Sequence, residues 1–151
     1  MNEALDELYQ QVILDHSKRP RNYGEIAEGA VKVEGYNPSC GDEIQLWLKR
    51  DAHGAVGEVK FTGQGCAISR ASASLMTAKV KGKSEADARA LIQSFHDIVS
   101  GAKEGDPIAL GDLTLFQGVR RFPQRVKCAM LAWRALEQAL AGHSGETTTE
   151  V

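Results

Sequence analysis

The chain has 151 residues, of which 42% are hydrophobic and 25% charged, and its formal net charge is −2. This length predicts one domain, expected over residues 1–143, and the small net charge excludes a global field that would favour nucleic acid or an anionic membrane. The sequence has no run of apolar residues long enough for a transmembrane helix. Its acidic N-terminus does not resemble a secretory signal, so we expect a cytoplasmic protein.

The first half of the chain predicts a helix followed by an antiparallel sheet. Apolar residues recur at helical spacing within residues 3–16, ahead of a turn at Pro20. Apolar and polar residues then alternate in three segments, 31–36, 44–49 and 56–61. The glycine-containing turn at 51–54 makes the last two segments a hairpin. Three antiparallel strands are therefore expected.

The second half predicts helices. Small residues dominate 66–81, which indicates a tightly packed helix. Ser84 begins a second helix with a clear apolar stripe. The stretch 110–122 is irregular, with room for a short helix, and Pro123 begins a last helix that ends at Leu140. We therefore expect an α+β domain in which a three-stranded antiparallel sheet packs against several helices.

The polar residues 144–151 at the end of the chain carry no apolar pattern. Such segments are commonly disordered unless another element holds them. We expect a disordered tail there.

The three cysteines argue against a fully paired disulfide framework because their number is odd. Cys40 lies in the loop before the second strand, two residues ahead of Asp42. Cys66 follows Gly63 and Gly65 and lies at the start of a helix. Cys128 lies in the first two turns of the last helix, just after Arg125. A helix N-terminus stabilises a thiolate, which makes both helical cysteines better nucleophiles and better metal ligands.

Cys40, Asp42 and Cys66 are expected at one end of the sheet, because the start of the second strand lies beside the end of the antiparallel third strand. The sequence alone does not bring Cys128 there. If Cys128 joins them, the four side chains would make a tetrahedral zinc site, in which the carboxylate is the ligand most easily displaced. The same groups suit an iron–sulfur cluster. The spacing lacks a C-x-x-C motif, so three buried, inert thiols remain an alternative.

At these residues the sequence resembles the U-type iron–sulfur assembly proteins, and within them the SufU branch. The resemblance rests on long motifs in residues 9–22, 37–42, 63–76 and 123–133. IscU-type scaffolds carry a histidine directly before the third cysteine, where this chain has Lys127. Residues 105–124 also look like the extra segment of SufU members. Both features favour the SufU branch over the scaffolds.

The resemblance implies a zinc-dependent sulfurtransferase. Its sulfur donor would be a SufS-type cysteine desulfurase, a pyridoxal-phosphate enzyme, and its product would pass to the SufBCD complex. It implies that a partner histidine replaces Cys40 on the metal and that the freed Cys40 accepts the sulfur. Arg125 is expected beside the site, offsetting charge or contacting the partner. The implied zinc ligands are Cys40, Asp42, Cys66 and Cys128. There are two alternative functions. The chain could be a scaffold for an iron–sulfur cluster on the same ligands, or a purely structural zinc module.

Overall fold

The computed structural model describes residues 3–148, which form five α-helices, one 3₁₀ helix and four strands. In chain order these are α1 (Glu3–Lys18), β1 (Val31–Asn37), β2 (Asp42–Arg50), β3 (Val56–Gln64), α2 (Ala67–Val80), α3 (Glu85–Ser100), α4 (Pro107–Leu110), the 3₁₀ helix (Gly111–Arg121), α5 (Pro123–Leu140) and β4 (Gly145–Thr148). Within this part of the chain, none of the helices combines the length and apolar character needed to cross a membrane.

The three predicted strands form as expected. β1 pairs antiparallel with β2, and β2 pairs antiparallel with β3. The register places Val33 opposite Leu46 and Leu46 opposite Phe61, and all three side chains are buried. Because alternate residues of a strand share one face, this register gives the sheet a continuous apolar face. That face packs mainly against α5 and α2.

A fourth strand corrects two expectations. Residues 145–148, predicted to lie in a disordered tail, form β4, which pairs in parallel with β1. The sheet is therefore mixed and four-stranded, in the order β3-β2-β1-β4. After α5, Gly142 adopts φ +80°, and the chain then reaches the edge of β1, where backbone N–H and C=O groups need partners. Because a polar edge strand shows no alternation of apolar and polar residues, the sequence pattern did not predict β4. Residues 149–151 lie outside the described part.

The irregular stretch after α3 is more ordered than expected. It forms α4 and an eleven-residue 3₁₀ helix rather than one short helix. Phe116 from this 3₁₀ helix packs edge-on against Phe95 of α3, with ring centroids 5.5 Å apart. Phe95 in turn stacks on Trp133 of α5 at 4.4 Å. These aromatic contacts hold the 3₁₀ helix, which directly precedes α5, against α3.

A buried serine links α2 to α5. The Ser72 hydroxyl donates to the Ala129 carbonyl at 2.6 Å and accepts from Trp133 Nε1 at 3.0 Å. Both bonds lie in the core, where an unmade hydrogen bond is costly. They hold the helix that begins after Cys66 against the helix that carries Cys128.

Candidate metal centre

Cys40 lies in a tight hairpin loop. β1 ends at Asn37 and β2 begins at Asp42, and these two residues face each other across the hairpin. The amides of Cys40 and Gly41 donate to the Asn37 carbonyl at 3.3 and 2.9 Å, and Gly41 adopts φ +72°. The loop is therefore only residues 38–41. Asp42, expected within the loop, is instead the first residue of a strand and only 1% exposed, whereas Cys40 is exposed.

Cys66 is the N-cap of α2, as its position after the glycine pair predicts. Its Sγ accepts from the Ser69 amide at 3.5 Å, and its own amide donates to Asp42 Oδ1 at 2.9 Å. Gly65 has φ +156°, and a Cβ at this position would collide with Asp42 Oδ1. Glycine is therefore required for the close approach of the α2 N-terminus to the Asp42 carboxylate.

Cys128 reaches the hairpin loop from the second turn of α5. Its Sγ lies 3.4 Å from Cys40 Sγ and 3.4 Å from Asn37 Nδ2, and the residue is fully buried. This is the contact that the sequence could not establish. Pro123 at the start of α5 and the link between Ser72 and Ala129 set the helix in this position.

The ligand atoms of Cys40, Asp42 and Cys128 all lie within 4.8 Å of one another. Cys66 is outside that mutually close set, but its Sγ lies 3.9 Å from Asp42 Oδ2. All four predicted ligands thus converge on one end of the sheet. Three thiols and one carboxylate are a donor set that suits zinc.

The electrostatics of the four groups favour a bound cation. A hydrogen bond with Cys128 lowers the pKa of the Cys66 thiol to about 6, helped by the Ser69 amide. The same bond raises the pKa of Cys128, and burial raises it further. In the free protein, therefore, the pKa of Cys66 lies below that of Cys128. Ionisation of every ligand requires a positive charge among them, since like charges at this distance repel.

Arg125 supplies part of that charge from outside. It lies in the first turn of α5 and is exposed. The Cys66 thiolate, and after it Cys128, raise the pKa of the Arg125 guanidinium, which also hydrogen-bonds Cys128. The guanidinium therefore carries its positive charge beside the thiols.

Sequence reasoning missed two parts of the site. The motif in residues 37–42 gives Asn37 no role of its own, yet its side chain lies between two of the predicted ligands, Asp42 and Cys128. Arg121 and Phe122 line a shallow groove with Cys40 and Arg125, and Phe122 is 59% exposed. The signal for Phe122 is weak, because the residue before a predicted helix is usually judged by its capping role alone.

Known proteins resemble this chain over nearly its whole length. A family model described as "NifU-like N terminal domain" matches residues 8–150. The chain is 47% identical over 144 residues to "Zinc-dependent sulfurtransferase SufU" of Bacillus subtilis, covering 95% of this chain and 97% of that protein. It is 44% identical over 136 residues to "Iron-sulfur cluster assembly scaffold protein IscU" of Streptococcus pyogenes, covering 90% and 84%.

A solved structure of a putative iron–sulfur cluster assembly scaffold protein for the SUF system, from Fervidobacterium islandicum, has the same fold. The TM-score is 0.81 at 38% identity, and the match covers 89% of this chain and 97% of that one. A crystal structure of a hypothetical protein matches with the same TM-score, 0.81, at 43% identity, covering 90% of this chain and 98% of that one. These likenesses confirm the α+β fold expected from the sequence. The sheet differs from the expectation in having four strands rather than three.

Proposed function

The chain belongs to the NifU-like N-terminal domain family, and from that premise we propose that it is a zinc-dependent sulfurtransferase. It accepts persulfide sulfur on Cys40 from a cysteine desulfurase and delivers it for iron–sulfur cluster assembly. The observation that carries the proposal is that an exposed thiol, Cys40, lies 3.4 Å from the buried Cys128 Sγ within a cluster of acidic ligands. An exposed thiol in such a cluster differs from the inert, buried cysteine of the alternative reading.

Cys40, Asp42, Cys66 and Cys128 would hold the zinc ion, which when bound keeps these thiols deprotonated at neutral pH. The three thiols and one carboxylate lie close enough together to fit a divalent cation. Arg125 offsets part of the excess negative charge of three thiolates and a carboxylate.

The Cys40 thiolate attacks the outer sulfur of the donor's persulfide. The donor's S–S bond breaks, its cysteine leaves as a thiolate, and the transferred sulfur remains on Cys40 as a new persulfide. The exchange needs no outside oxidant or reductant, because one S–S bond replaces another. The short loop makes Cys40 reachable, and the groove lined by Arg121, Phe122 and Arg125 is where the donor's cysteine-bearing segment would dock.

The partners belong to the proposal as well. A SufS-type desulfurase would supply the sulfur, and the SufBCD complex would receive it. The B. subtilis relative carries the sulfurtransferase name, which supports this direction of transfer. Lys127, in place of the histidine expected of scaffolds, supports it too.

The proposal is tested by locating the transferred sulfur. The chain is mixed with a cysteine desulfurase and cysteine, alkylated, digested and analysed by mass spectrometry. We expect one extra sulfur atom on the Cys40 peptide and a faster desulfurase turnover when the chain is present. Extra sulfur on Cys66 or Cys128 alone would defeat the assignment of the acceptor.

A cluster scaffold is the second candidate. Relatives named as IscU scaffolds, at 44% identity in S. pyogenes and 39% in Thermotoga maritima, favour it, and thiolates are the usual ligands of iron–sulfur clusters. Metal analysis of protein purified without air separates the two. One zinc per chain and no colour supports transfer, whereas iron, sulfide and visible absorption support the scaffold.

A further inference from the structure

Asn37 is a polar residue at the end of β1. It is fully buried, and it faces Asp42 across the hairpin. Its backbone carbonyl accepts from the Cys40 and Gly41 amides and so builds the loop. Those bonds depend on the backbone alone, so another side chain could occupy the turn without losing them. The identity of this side chain therefore needs a separate reason.

The side-chain amide of Asn37 contacts two of the proposed metal ligands. Nδ2 donates to Asp42 Oδ2 at 3.0 Å and to Cys128 Sγ at 3.4 Å. An amide nitrogen carries two protons, so one group can serve both acceptors at once. Both acceptors carry negative charge when they bind a metal, and a carboxylate or thiolate cannot replace the amide as a donor there.

The other Asp42 oxygen is fixed from the opposite side. Oδ1 accepts from the Cys66 amide at 2.9 Å, while Oδ2 accepts from Asn37. The carboxylate is thus oriented by two donors from different segments, and Oδ2 is the oxygen that lies near the thiols, 3.9 Å from Cys66 Sγ. The Asn37 amide also ties the β-hairpin to α5, across 91 positions of the chain.

We propose that Asn37 is a positioning residue, whose amide holds the Asp42 carboxylate and the Cys128 sulfur in the arrangement that receives the metal. The inference rests on the proposed function for the identity of the ligands. Donors that orient metal ligands typically change metal affinity by roughly 10- to 100-fold when removed. Asn37 thereby decides how tightly the ion is held and which Asp42 oxygen faces it.

The test replaces the amide while keeping its shape. Asn37→Leu has similar size and branching but no donor. Thr77→Val is the matched control, because Thr77 is also fully buried and hydrogen-bonded but lies near the far end of α2. Zinc affinity is measured by chelator competition. Cobalt(II) is then loaded instead of zinc, because its absorption bands report ligand number and geometry. Thermal unfolding of the metal-free proteins measures general destabilisation.

We expect Asn37→Leu to bind zinc roughly 10- to 100-fold more weakly than wild type and to give a changed cobalt spectrum. Thr77→Val should match the wild-type affinity and spectrum even if it melts at a lower temperature. Should Asn37→Leu not fold, Asn37→Ala removes the donor without adding a charge or a ligand, and its cobalt spectrum should differ from wild type.

Wild-type affinity and spectrum in a folded Asn37 variant would overturn the role of Asn37 and leave the proposed function standing. An equal loss of affinity in Thr77→Val would also overturn it, because the effect would then be general destabilisation. A wild-type chain that binds no zinc would overturn the proposed function itself, and this inference with it.

Discussion

Asn37, Asp42 and Cys128 form a buried floor of the metal centre, with at most 1% of each residue exposed, whereas Cys40, Phe122 and Arg125 form an exposed rim. Hydrogen bonds hold the floor in place, between strand ends and the side of α5. The rim stands on a loop and at the start of a helix, where a partner can reach it. One site thus combines buried, hydrogen-bonded side chains with an exposed thiol, so changes in the two regions should have separable effects.

The largest separable effect is expected at Cys40. Cys40→Ala should reduce sulfur acceptance to background, because the nucleophile is gone. The free energy of unfolding of the metal-free protein should change by less than about 0.5 kcal/mol, since the side chain is exposed and packs little. Persulfide labelling and chemical denaturation measure the two quantities.

Cys128→Ala is the matched change in the floor. It leaves a cavity in a fully buried position, so the metal-free protein should lose about 1–2 kcal/mol of stability. If Cys40→Ala destabilised the zinc-bound protein as severely as Cys128→Ala does, the site would be a structural zinc module rather than a transfer site.

Metal removal should destabilise the whole centre. If free zinc is about 1,000 times Kd, binding to the folded state alone contributes about 4 kcal/mol, and chelation should remove it as a lower Tm. Calorimetry before and after complete zinc removal checks this. The ion would connect the β-hairpin to α2 and α5 through its ligands, and unchanged melting would refute this.

A smaller effect is expected at Phe122 on the rim. Phe122→Ala should raise the KM for the desulfurase by roughly tenfold, which corresponds to about 1.4 kcal/mol of docking energy, without changing Tm. Ile108→Ala is the control, because Ile108 is even more exposed, at 96% against 59%, but does not line the groove beside Cys40. Equal effects of the two substitutions would remove the groove as a docking surface.

The smallest expected effect concerns pH in the metal-free protein. The pKa of Cys66 is lowered to about 6, mainly by its hydrogen bond with Cys128. A lowered pKa means that the thiolate predominates above that pH, so alkylation of Cys66 should already be fast at pH 7 and should slow as the pH falls through about 6. Cys128, with a raised pKa and full burial, should stay unlabelled.

Peptide-level mass spectrometry over a pH series measures this labelling. A Cys66 profile centred near about 8.5, the ordinary thiol value, would contradict the lowered pKa of this thiol. It would also weaken the argument that the four groups need a cation.

Local sequence signals predicted most of the secondary structure. Ser84 accepts from the Asp87 amide at 3.1 Å and caps α3, as its spacing suggested. Pro123 begins α5, where its missing N–H costs nothing. The signals failed at β4, because an exposed edge strand is determined by the neighbour it pairs with rather than by its own pattern.

Local sequence signals were enough to predict the setting of each cysteine: Cys40 in a turn next to a glycine, Cys66 at the start of a helix and Cys128 early in the last helix. Those settings follow from backbone preferences within a few residues. Three features emerge only from the packing of the whole fold: Cys128 lies beside Cys40, Asp42 is buried, and the Asn37 amide hydrogen-bonds both Asp42 and Cys128. These contacts span up to 91 positions and depend on how α2 and α5 pack together, which no local pattern encodes.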